Sequence, residues 1–378
     1  MSRPAAAPGR RAYALITGGG TAGHVLPALA VAEALADRGH PPADLHYVGA
    51  QRGIETRLVP PTGLPHTFLD VVGVQRRLDR SNLGFGPKLR RAIRDATALL
   101  RTRRPRVVVS VGGYASLPAV LAARRLRIPI VVVSYDRRPG RASQLAARFA
   151  AASAVAFPGS GLPRARLTGA PLRRSVLDVD PARDRAAARE ALALPPDRFV
   201  VLAAGGSLGS AVLNDAVRGF VALSAERRDL AVRHVVGERF LTDDATAAAG
   251  PARDGILYTV VGYEERMPQA YAAADVVVAR AGASTVAELA AIGVPSILVP
   301  WPGAAADHQT DNARTLAAVG AAVLLPESQL TPDRLAREIE VLRADPSTLP
   351  AMAAAARAAG EIHHSGRLAL LVEEVAGA

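Results

Sequence analysis

Short β-branched runs alternate with Ala- and Leu-rich helical stretches along almost the whole chain, and this alternation constrains the fold more than any other feature. It is typical of parallel strands that helices cover on both faces. A charged helical stretch at Asp180–Leu194 interrupts the alternation, which restarts at Phe199. Because 378 residues exceed what one core usually supports, we predict two doubly wound, Rossmann-like α/β domains that face a cleft.

The predicted strands are short and recur in both halves of the chain. In the first half they are Ala12–Thr17, Leu45–Gly49, Thr67–Val71, Val107–Val111, Ile130–Ser134 and Ala154–Phe157. In the second half they are Phe199–Ala204, Val232–Val236, Leu257–Val261, Asp275–Ala279 and Ser296–Pro300. A junction near Gly169–Arg173 gives domains at 1–170 and 171–350, and we expect a last apolar helix within 351–378 to pack back on the first domain.

The charge and the cysteine count limit the function classes. The formal net charge is +12 and is nearly all arginine, with Lys88 as the single lysine. Such an excess attracts phosphates, nucleic acid or anionic lipid headgroups, although a solvated arginine surface is an equal alternative. The absence of cysteine excludes disulfides, thiolate metal sites and cysteine nucleophiles. No apolar run approaches the roughly 20 residues of a membrane-spanning helix, and the basic, Pro-rich start does not resemble a signal peptide.

Three glycine-rich turns each follow a predicted strand and precede a helix. They are Gly18–His24, Ser110–Ser116 and Ala204–Ser210. Glycine lets the backbone approach a ligand closely, and the N–H groups of a helix start favour an anion. The first turn also fits G-x-G-x-x-G, but Val48–Gln51 lacks the carboxylate that a dinucleotide ribose needs, which disfavours NAD.

Two polar runs in the second half add further candidates. In Ala283–Glu288 the glutamate suits either a capping box with Ser284 or Thr285, or a carboxylate that accepts both hydroxyls of a ribose. In Asp307–Asn312 the aspartate suits a helix cap, and Gln309 is either exposed or a ligand contact.

Taken together, the motifs resemble one family. They occur in the order of the MurG family, from about Tyr13 to Asn312. The motifs are GGGTAGHVLPALAVAEAL, SVGGYASLPAVLAA, LTGAPLR, GGSLGSAVLN, and ARAGASTVAELAAIGVPSILVP followed by DHQTDNA. That family is the membrane-peripheral glycosyltransferase of peptidoglycan synthesis. The resemblance implies the GT-B architecture and transfer of N-acetylglucosamine from UDP-GlcNAc to lipid I, undecaprenyl-pyrophosphoryl-MurNAc-pentapeptide, with formation of lipid II.

The resemblance also assigns residues. On the acceptor side it implies the glycine loops, with Gly19, Gly20, Gly112, Gly113 and Tyr114. For the acceptor pyrophosphate and for the sugar, phosphates, ribose and uracil of the donor it implies the following substrate-binding residues: Thr21, Ala22, Gly23, Arg173, Ser207, Glu264 (through its backbone), Ala283, Ser284, Thr285, Val286, Ala287, Glu288 and Gln309. We expect no metal and no cofactor, because Ser207, the third loop and Arg173 can stabilise departing UDP. An Asp-x-Asp element at Asp178–Asp180 lies in a connection and not at the carboxyl end of a strand.

One segment departs from the family. Where the family usually has His-Glu-Gln-Asn, this chain has Ser134, Tyr135 and Asp136 followed by arginines, and Leu208 replaces a frequent glutamine. His24 and Asp136 are therefore both candidates for the catalytic base. We prefer His24, since imidazole titrates near pH 6.5 and an aspartate must first be desolvated. The family inverts the anomeric centre, so a β-linked product is expected.

The expected partners are UDP-GlcNAc, lipid I and an anionic membrane surface, with cell-wall synthesis and division proteins as further partners and no nucleic acid. Val74–Arg94 combines apolar residues with arginines and suits a peripheral site on the cytoplasmic face of the membrane, or else is an exposed basic loop. Three alternatives to the lipid I transferase remain at this point: a glycosyltransferase for a soluble secondary metabolite, a UDP-GlcNAc 2-epimerase, and a non-catalytic nucleotide-sugar-binding scaffold.

Overall fold

The computed structural model of the chain describes residues 11–71, 85–242, 250–251, 255–304 and 307–377. The chain forms two compact units, Met1–Arg174 with Ser365–Ala378, and Ser175–His364. Each unit is built on one sheet of seven strands. The two predicted Rossmann-like α/β domains are confirmed.

The first unit begins with seven strands and five helices that alternate along the chain. The strands are β1 Ala14–Thr17, β2 Leu45–Ala50, β3 His66–Leu69, β4 Val107–Ser110, β5 Ile130–Ser134, β6 Ala152–Val155 and β7 Ala165–Leu167. The helices are α1 Ala22–Asp37, α2 Glu55–Leu58, α3 Phe85–Arg103, α4 Leu117–Leu126 and α5 Arg141–Ala147. Short 3₁₀ turns lie at Pro42–Asp44, Pro60–Thr62 and Tyr114–Ser116.

The strand order of the first sheet is β3-β2-β1-β4-β5-β6-β7, and every pair is parallel. Val-rich strands such as β4 and β5 are buried along their whole length because helices cover both faces of the sheet. The order reverses between β1 and β4. Open α/β sheets bind ligands at the carboxyl ends of the strands at such a point.

The second unit repeats this arrangement. After α6 Arg174–Leu177 its strands are β8 Phe199–Ala204, β9 Leu230–Val235, β10 Gly250–Pro251, β11 Leu257–Val261, β12 Val276–Ala279, β13 Ser296–Leu298 and β14 Ala322–Leu324. Its helices are α7 Pro181–Ala191, α8 Ala211–Leu223, α9 Met267–Ala273, α10 Ala283–Ile292, α11 His308–Ala317, α12 Pro332–Ala344 and α13 Thr348–Gly360. Short 3₁₀ turns lie at Glu238–Phe240, Glu327–Gln329 and Glu361–His364.

The second sheet has the order β10-β11-β9-β8-β12-β13-β14 and is parallel apart from the antiparallel pair of β10 with β11. Its switch point lies between β8 and β12. The charged stretch at the junction is helix α7, which Asp180 caps by accepting a 3.0 Å hydrogen bond from the amide of Ala182. One carboxylate of the Asp-x-Asp element therefore has a structural role.

The last part of the chain divides between the units. Helix α13 ends within Ser175–His364, whereas a final helix, α14 Arg367–Gly377, belongs to the first unit. Glu373 of α14 accepts hydrogen bonds from the guanidinium of Arg38 at 2.8 and 3.1 Å, and lies 3.0 Å from Nε2 of His40. Segment 351–378 is thus two helices with different surroundings. Across the described part of the chain, none of the helices has the length and apolar character to cross a membrane.

Candidate functional site

The first two glycine loops lie against each other because the strands that precede them are neighbours. Thr17 at the end of β1 is in register with Ser110 at the end of β4. A Cβ atom on Gly113 would lie 2.3 Å from the carbonyl oxygen of Gly19, and Gly113 has a φ of +78°. Glycine is therefore required here by the close approach of two backbones. The expected acceptor residues Gly19, Gly113 and Tyr114 form one surface.

His24 lies in the first turn of α1, beside these loops. Its Nδ1 is 3.0 Å from Oγ1 of Thr21, and a Cβ atom on Gly112 would lie 3.7 Å from its Nε2. Ala22 and Gly23 share this first turn, where a helix leaves backbone N–H groups without intrahelical partners. The hydroxyl of Thr21 can accept from Nδ1–H, and in that tautomer of His24 Nε2 is an acceptor.

A cavity of about 230 Å³ is lined by His24 together with residues from the carboxyl end of β5 and the start of α5. Its walls include Ser134, Asp136, Arg141 and Ser143. Burial lowers the pKa of His24, while the negative charges of Asp136 and Glu55 act in the opposite direction. The two candidate bases predicted from the sequence thus share one cavity.

The segment that departs from the family is tied to the first glycine loop. Tyr135 is buried, and its hydroxyl donates a hydrogen bond to the carbonyl oxygen of Gly23. Burial, followed by the charge of Asp136, raises the pKa of this phenol. Tyr135 therefore connects the end of β5 to the start of α1, and Asp136 follows it into the cavity.

The third glycine loop occupies the switch point of the second unit. Gly209 has a φ of +66°, and a Cβ atom there would lie 2.1 Å from the carbonyl oxygen of Val236. Ser210 caps α8 by accepting from the amide of Leu213 at 3.3 Å. Ser207 stands exposed at the tip of the loop. The loop presents its serine and the start of a 13-residue helix to the carboxyl edge of the sheet.

Arg280, at the end of β12, holds the third loop in place. Its guanidinium is buried, donates to Oγ of Ser210 at 2.6 Å, and pairs with Glu327. It also donates to the carbonyl oxygen of Val299 at 3.2 Å. Sequence analysis did not single out Arg280, although an arginine directly after a buried Val-rich strand is a signal of a paired structural cation.

The capping-box interpretation of Ala283–Glu288 is wrong. The N-cap of α10 is Gly282, and no side chain makes a capping hydrogen bond there. The half-buried carboxylate of Glu288 instead accepts a 2.9 Å hydrogen bond from the hydroxyl of Tyr271. Ser284 and Thr285 are half-buried in the first turn. The run from Ala283 to Glu288 therefore lies at the carboxyl end of β12, beside the switch point.

Gln309 makes a specific contact with the chain that follows β13. Its Oε1 accepts a 2.9 Å hydrogen bond from the backbone amide of Trp301, whose ring is 51% exposed. The amide group of Gln309 is thereby oriented with its Nε2 directed away from that bond. Asp307 occupies the N-cap position of α11 but makes no side-chain capping bond, and its carboxylate accepts instead from Thr310 at 2.7 Å.

Two further predicted residues differ sharply in their surroundings. Glu264 is buried, accepts from the guanidinium of Arg233 at 2.5 and 2.6 Å, and also accepts from the amide of Arg266 at 2.9 Å. Its carboxylate is therefore occupied by the protein. Arg173 is half-exposed, and within the described ranges its guanidinium pairs with no carboxylate.

Comparison with known proteins decides the family. The N-terminal domain of glycosyltransferase family 28 matches residues 14–155, and the C-terminal domain of that family matches residues 200–366. The UDP-N-acetylglucosamine–N-acetylmuramyl-(pentapeptide) pyrophosphoryl-undecaprenol N-acetylglucosamine transferase of Desulforudis audaxviator is 39% identical over 96% of this chain and 98% of its own. This chain belongs to the MurG family.

Other relatives agree with the assignment. The transferase of the same name from Alkalilimnicola ehrlichii is 42% identical over 92% of this chain and 94% of its own. The crystal structure of MurG from Acinetobacter baumannii has a TM-score of 0.72 and 27% sequence identity, covering 97% of this chain and all of that one. The predicted family, fold class and enzyme class are confirmed.

In this MurG-family chain the predicted residues form two groups. In the first unit the glycine loops bring His24 and Asp136 together, and in the second unit the third loop, Glu288 and Gln309 follow β8, β12 and β13. The carboxylate of Glu264 belongs to neither group, because it is paired internally. Glu55 was missed by sequence analysis, yet its carboxylate accepts hydrogen bonds from the amides of Gly20 in the first loop and of Ala50 at the end of β2.

Proposed function

We propose that this chain transfers N-acetylglucosamine from UDP-GlcNAc to undecaprenyl-pyrophosphoryl-MurNAc-pentapeptide, lipid I, and so forms lipid II. The observation that carries the proposal is the identity of 39–42% over 92–96% of the chain with transferases whose names state this donor group and acceptor. The two groups of polar residues at the switch points of the two sheets give the proposal a physical basis.

We assign proton removal at the acceptor to His24. Nε2 accepts the proton of the acceptor hydroxyl while Thr21 accepts from Nδ1–H. The hydroxyl oxygen then bonds to the anomeric carbon as the bond from that carbon to UDP breaks, and the donor's electron pair leaves with UDP. Asp136 acts as the nearby negative charge that favours the imidazolium formed in this step.

We assign donor binding to the second unit. Glu288 offers a carboxylate in the second turn of α10 for the ribose hydroxyls, and Gln309 offers its Nε2 to the sugar because its Oε1 accepts from the amide of Trp301. The exposed Ser207 and the start of α8 suit the two phosphates, since a helix start stabilises negative charge. Arg173, which the resemblance implies for the same phosphates, belongs to the first unit, and its role stays a prediction.

The test is incubation of the chain with UDP-GlcNAc and a short-chain lipid I analogue in the presence and absence of a chelator. We expect a β-linked lipid II product, UDP release in equal amount, and no loss of activity with the chelator. UDP-GlcNAc hydrolysis alone, transfer to another acceptor only, or UDP-ManNAc formed from the donor alone would overturn the proposal.

A matched pair of variants tests the donor site by calorimetry with UDP-GlcNAc. Glu288→Ala removes the carboxylate, whereas Tyr271→Phe removes only the hydroxyl that donates to it. We expect Glu288→Ala to abolish measurable binding and Tyr271→Phe to weaken it roughly tenfold, as for one hydrogen bond to a charged group. Equal affinity of Glu288→Ala and wild type would exclude Glu288 from the site.

We also propose peripheral attachment to the cytoplasmic face of the membrane. Residues 74–84 of the expected membrane segment Val74–Arg94 lie outside the described residues, but α3 begins at Phe85 and exposes Lys88, Arg90, Arg91 and Arg94. Each basic side chain near an anionic surface contributes about 1 kcal/mol. Replacing these four residues by glutamine should release the chain from anionic vesicles in sedimentation, while binding to neutral vesicles stays low for both proteins.

A further inference from the structure

The side chain of Glu55 is completely buried beneath the first glycine loop. Oε1 accepts from the backbone amide of Ala50 at 2.8 Å, and both carboxylate oxygens lie 3.2 Å from the backbone amide of Gly20. Ala50 is the last residue of β2, and Gly20 lies between β1 and α1. One carboxylate therefore joins the end of β2 to the loop from which His24 follows.

Three glycines leave the space that this carboxylate occupies. A Cβ atom on Gly53 would lie 1.9 Å from Oε2, one on Gly19 would lie 2.4 Å from Oε1, and one on Gly49 would lie 3.0 Å from Cγ. None of the three has a positive φ, so backbone conformation does not require glycine at these positions. Glu55 therefore explains the absence of side chains at Gly19 and Gly53. At Gly49 the ring of Tyr47 contributes as well, because its Cε1 would lie 2.8 Å from a Cβ atom.

The amide of Gly20 is also directed to Glu55 and not outward. A ligand at this loop would therefore meet the amides of the first turn of α1, beyond Gly20. The ring of Tyr114 also packs against Gly20, where a Cβ atom would lie 2.5 Å from its Cε1. Gly20 is therefore in contact with both Glu55 and Tyr114.

We propose that Glu55 is a positioning residue for the transfer reaction, whose buried carboxylate fixes the first glycine loop and thereby His24 relative to the cavity. The role of Glu55 in the transfer reaction rests on the proposed function. Its role in holding the loop does not, because that role follows from the contacts of Glu55 alone. Misplacing a catalytic group by about 1 Å costs as much as 100-fold in rate.

The charge of Glu55 provides a second, independent readout. No arginine or lysine within the described ranges forms an ion pair with it, and its negative charge acts to raise the pKa of His24, Tyr47 and Tyr114. The other ionisable groups that face His24 are Asp136 after β5 and Arg141 of α5, both on the cavity wall, with the phenol of Tyr135 beside them. Removal of the charge of Glu55 should therefore lower the pKa of His24.

The experiment compares three variants of the full chain. Glu55→Gln keeps the size of the side chain but places an amide NH₂ against a backbone N–H, and Gly53→Ala keeps the charge but displaces the carboxylate. Gly377→Ala is the matched control, since a Cβ atom there meets nothing within 4 Å and the residue lies outside the proposed sites. We expect kcat for lipid II formation to fall roughly 10- to 100-fold in the first two variants, with unchanged KM for UDP-GlcNAc, and to stay at the wild-type value in Gly377→Ala.

NMR titration of His24, assigned with His24→Gln, completes the test without any need for turnover. We expect a lower His24 pKa in Glu55→Gln and a smaller change in Gly53→Ala, which keeps the charge. If wild type made no lipid II while His24 titrated as expected, the proposed function would fail and the positioning of the loop would stand. Wild-type kcat in folded Gly53→Ala, or an unmoved His24 titration in folded Glu55→Gln, would overturn the role of Glu55; if Glu55→Gln does not fold, Gly53→Ala decides.

Discussion

At the scale of single residues, the sequence singles out candidates, and the structure shows what each of them contacts. Glu288 and Gln309 could be chosen from the sequence because they stand in polar runs that follow strands. The partner of each, Tyr271 and the amide of Trp301, comes from another part of the chain and could not. Glu55 was missed for the same reason: its contacts with Gly20 cross 35 positions of sequence.

The pH dependence of activity tests His24 as the base. A base acts in its neutral form, and burial lowers the pKa of His24, so the neutral form persists to lower pH than for an exposed histidine. We expect the acid limb of kcat/KM to have its midpoint below about 6.5. Asp136→Asn should move the limb to still lower pH, because the charge that opposes the burial effect is lost.

The matched variant His24→Ala should lower kcat by roughly 10²- to 10⁴-fold and remove the acid limb from the pH profile of kcat/KM. Measurement of kcat/KM between pH 5 and 8 separates the outcomes. A limb that persists in His24→Ala and disappears in Asp136→Asn would identify Asp136 as the base instead.

Gln309→Glu tests the orientation of the amide in the donor site. The carboxylate keeps an acceptor for the amide of Trp301 but replaces the Nε2 donor by an oxygen, so the loop stays and the contact to the sugar is lost. We expect the Kd for UDP-GlcNAc to rise roughly tenfold. Trp301 is the single tryptophan of the chain, so its fluorescence reports the titration. The same change at exposed Gln329 should leave the Kd unaltered.

At the scale of helices and strands, the sequence predicts the inner strands of each sheet well and the short strands at the sheet edges poorly. Ile130–Ser134 and Phe199–Ala204 match their predicted bounds, since buried Val-rich runs in a parallel sheet can be recognised without knowledge of their partners. Leu257–Val261, which is only partly buried, also matches. Strands β7, β10 and β14 were missed. Each has only two or three residues and lies at an edge of its sheet, and β7 is exposed throughout, so none is long enough to show the buried run that predicts a strand.

Helix α14 allows a sharp test of how the end of the chain supports the first unit. Leu371 is 3% exposed and Leu370 is 45% exposed on the same helix, which packs against α1. We expect Leu371→Ala to lower the free energy of unfolding by about 2–5 kcal/mol. Leu370→Ala should change it by less than about 0.5 kcal/mol.

Urea unfolding followed by circular dichroism measures both variants. Affinity for UDP-GlcNAc should stay at the wild-type value in each, because α14 belongs to the first unit and the proposed donor site to the second. Equal destabilisation by the two substitutions would show that α14 does not pack through Leu371.

At the scale of the whole molecule, two units that are each built on a mainly parallel seven-stranded sheet of the described residues carry different chemistry at the carboxyl ends of their strands. The first switch point holds a histidine and an aspartate in a cavity, and the second holds a serine loop, a glutamate and a glutamine. The alternation of strand and helix patterns in the sequence predicted the fold of both units, because that pattern depends only on which residues are buried. The difference between the two sites depends on a few polar residues at strand ends, and those were assigned by resemblance to the MurG family.

Both units also contain buried histidines, which make acid stability a property of the whole chain. Burial lowers the pKa of His46 to about 4 and of His363 to about 4. Burial lowers the pKa of His234 to about 3; its two ring nitrogens contact the hydroxyl of Tyr258 at 2.9 Å and Oδ1 of Asn214 at 3.1 Å. The imidazoles are therefore held neutral in the folded state.

As the pH falls below about 6.5, the unfolded chain binds a proton at each of these histidines while the folded chain does not. The free energy of unfolding should then decrease, by up to about 1.4 kcal/mol per pH unit for each histidine, until the pH reaches the folded-state pKa. Urea unfolding at intervals from pH 7 to 4.5 measures this slope. His234→Gln keeps a donor and an acceptor for Asn214 and Tyr258 but does not titrate, so it should flatten the slope by about one proton. An unchanged slope in this variant would show that protonation of His234 is not what destabilises the chain in acid.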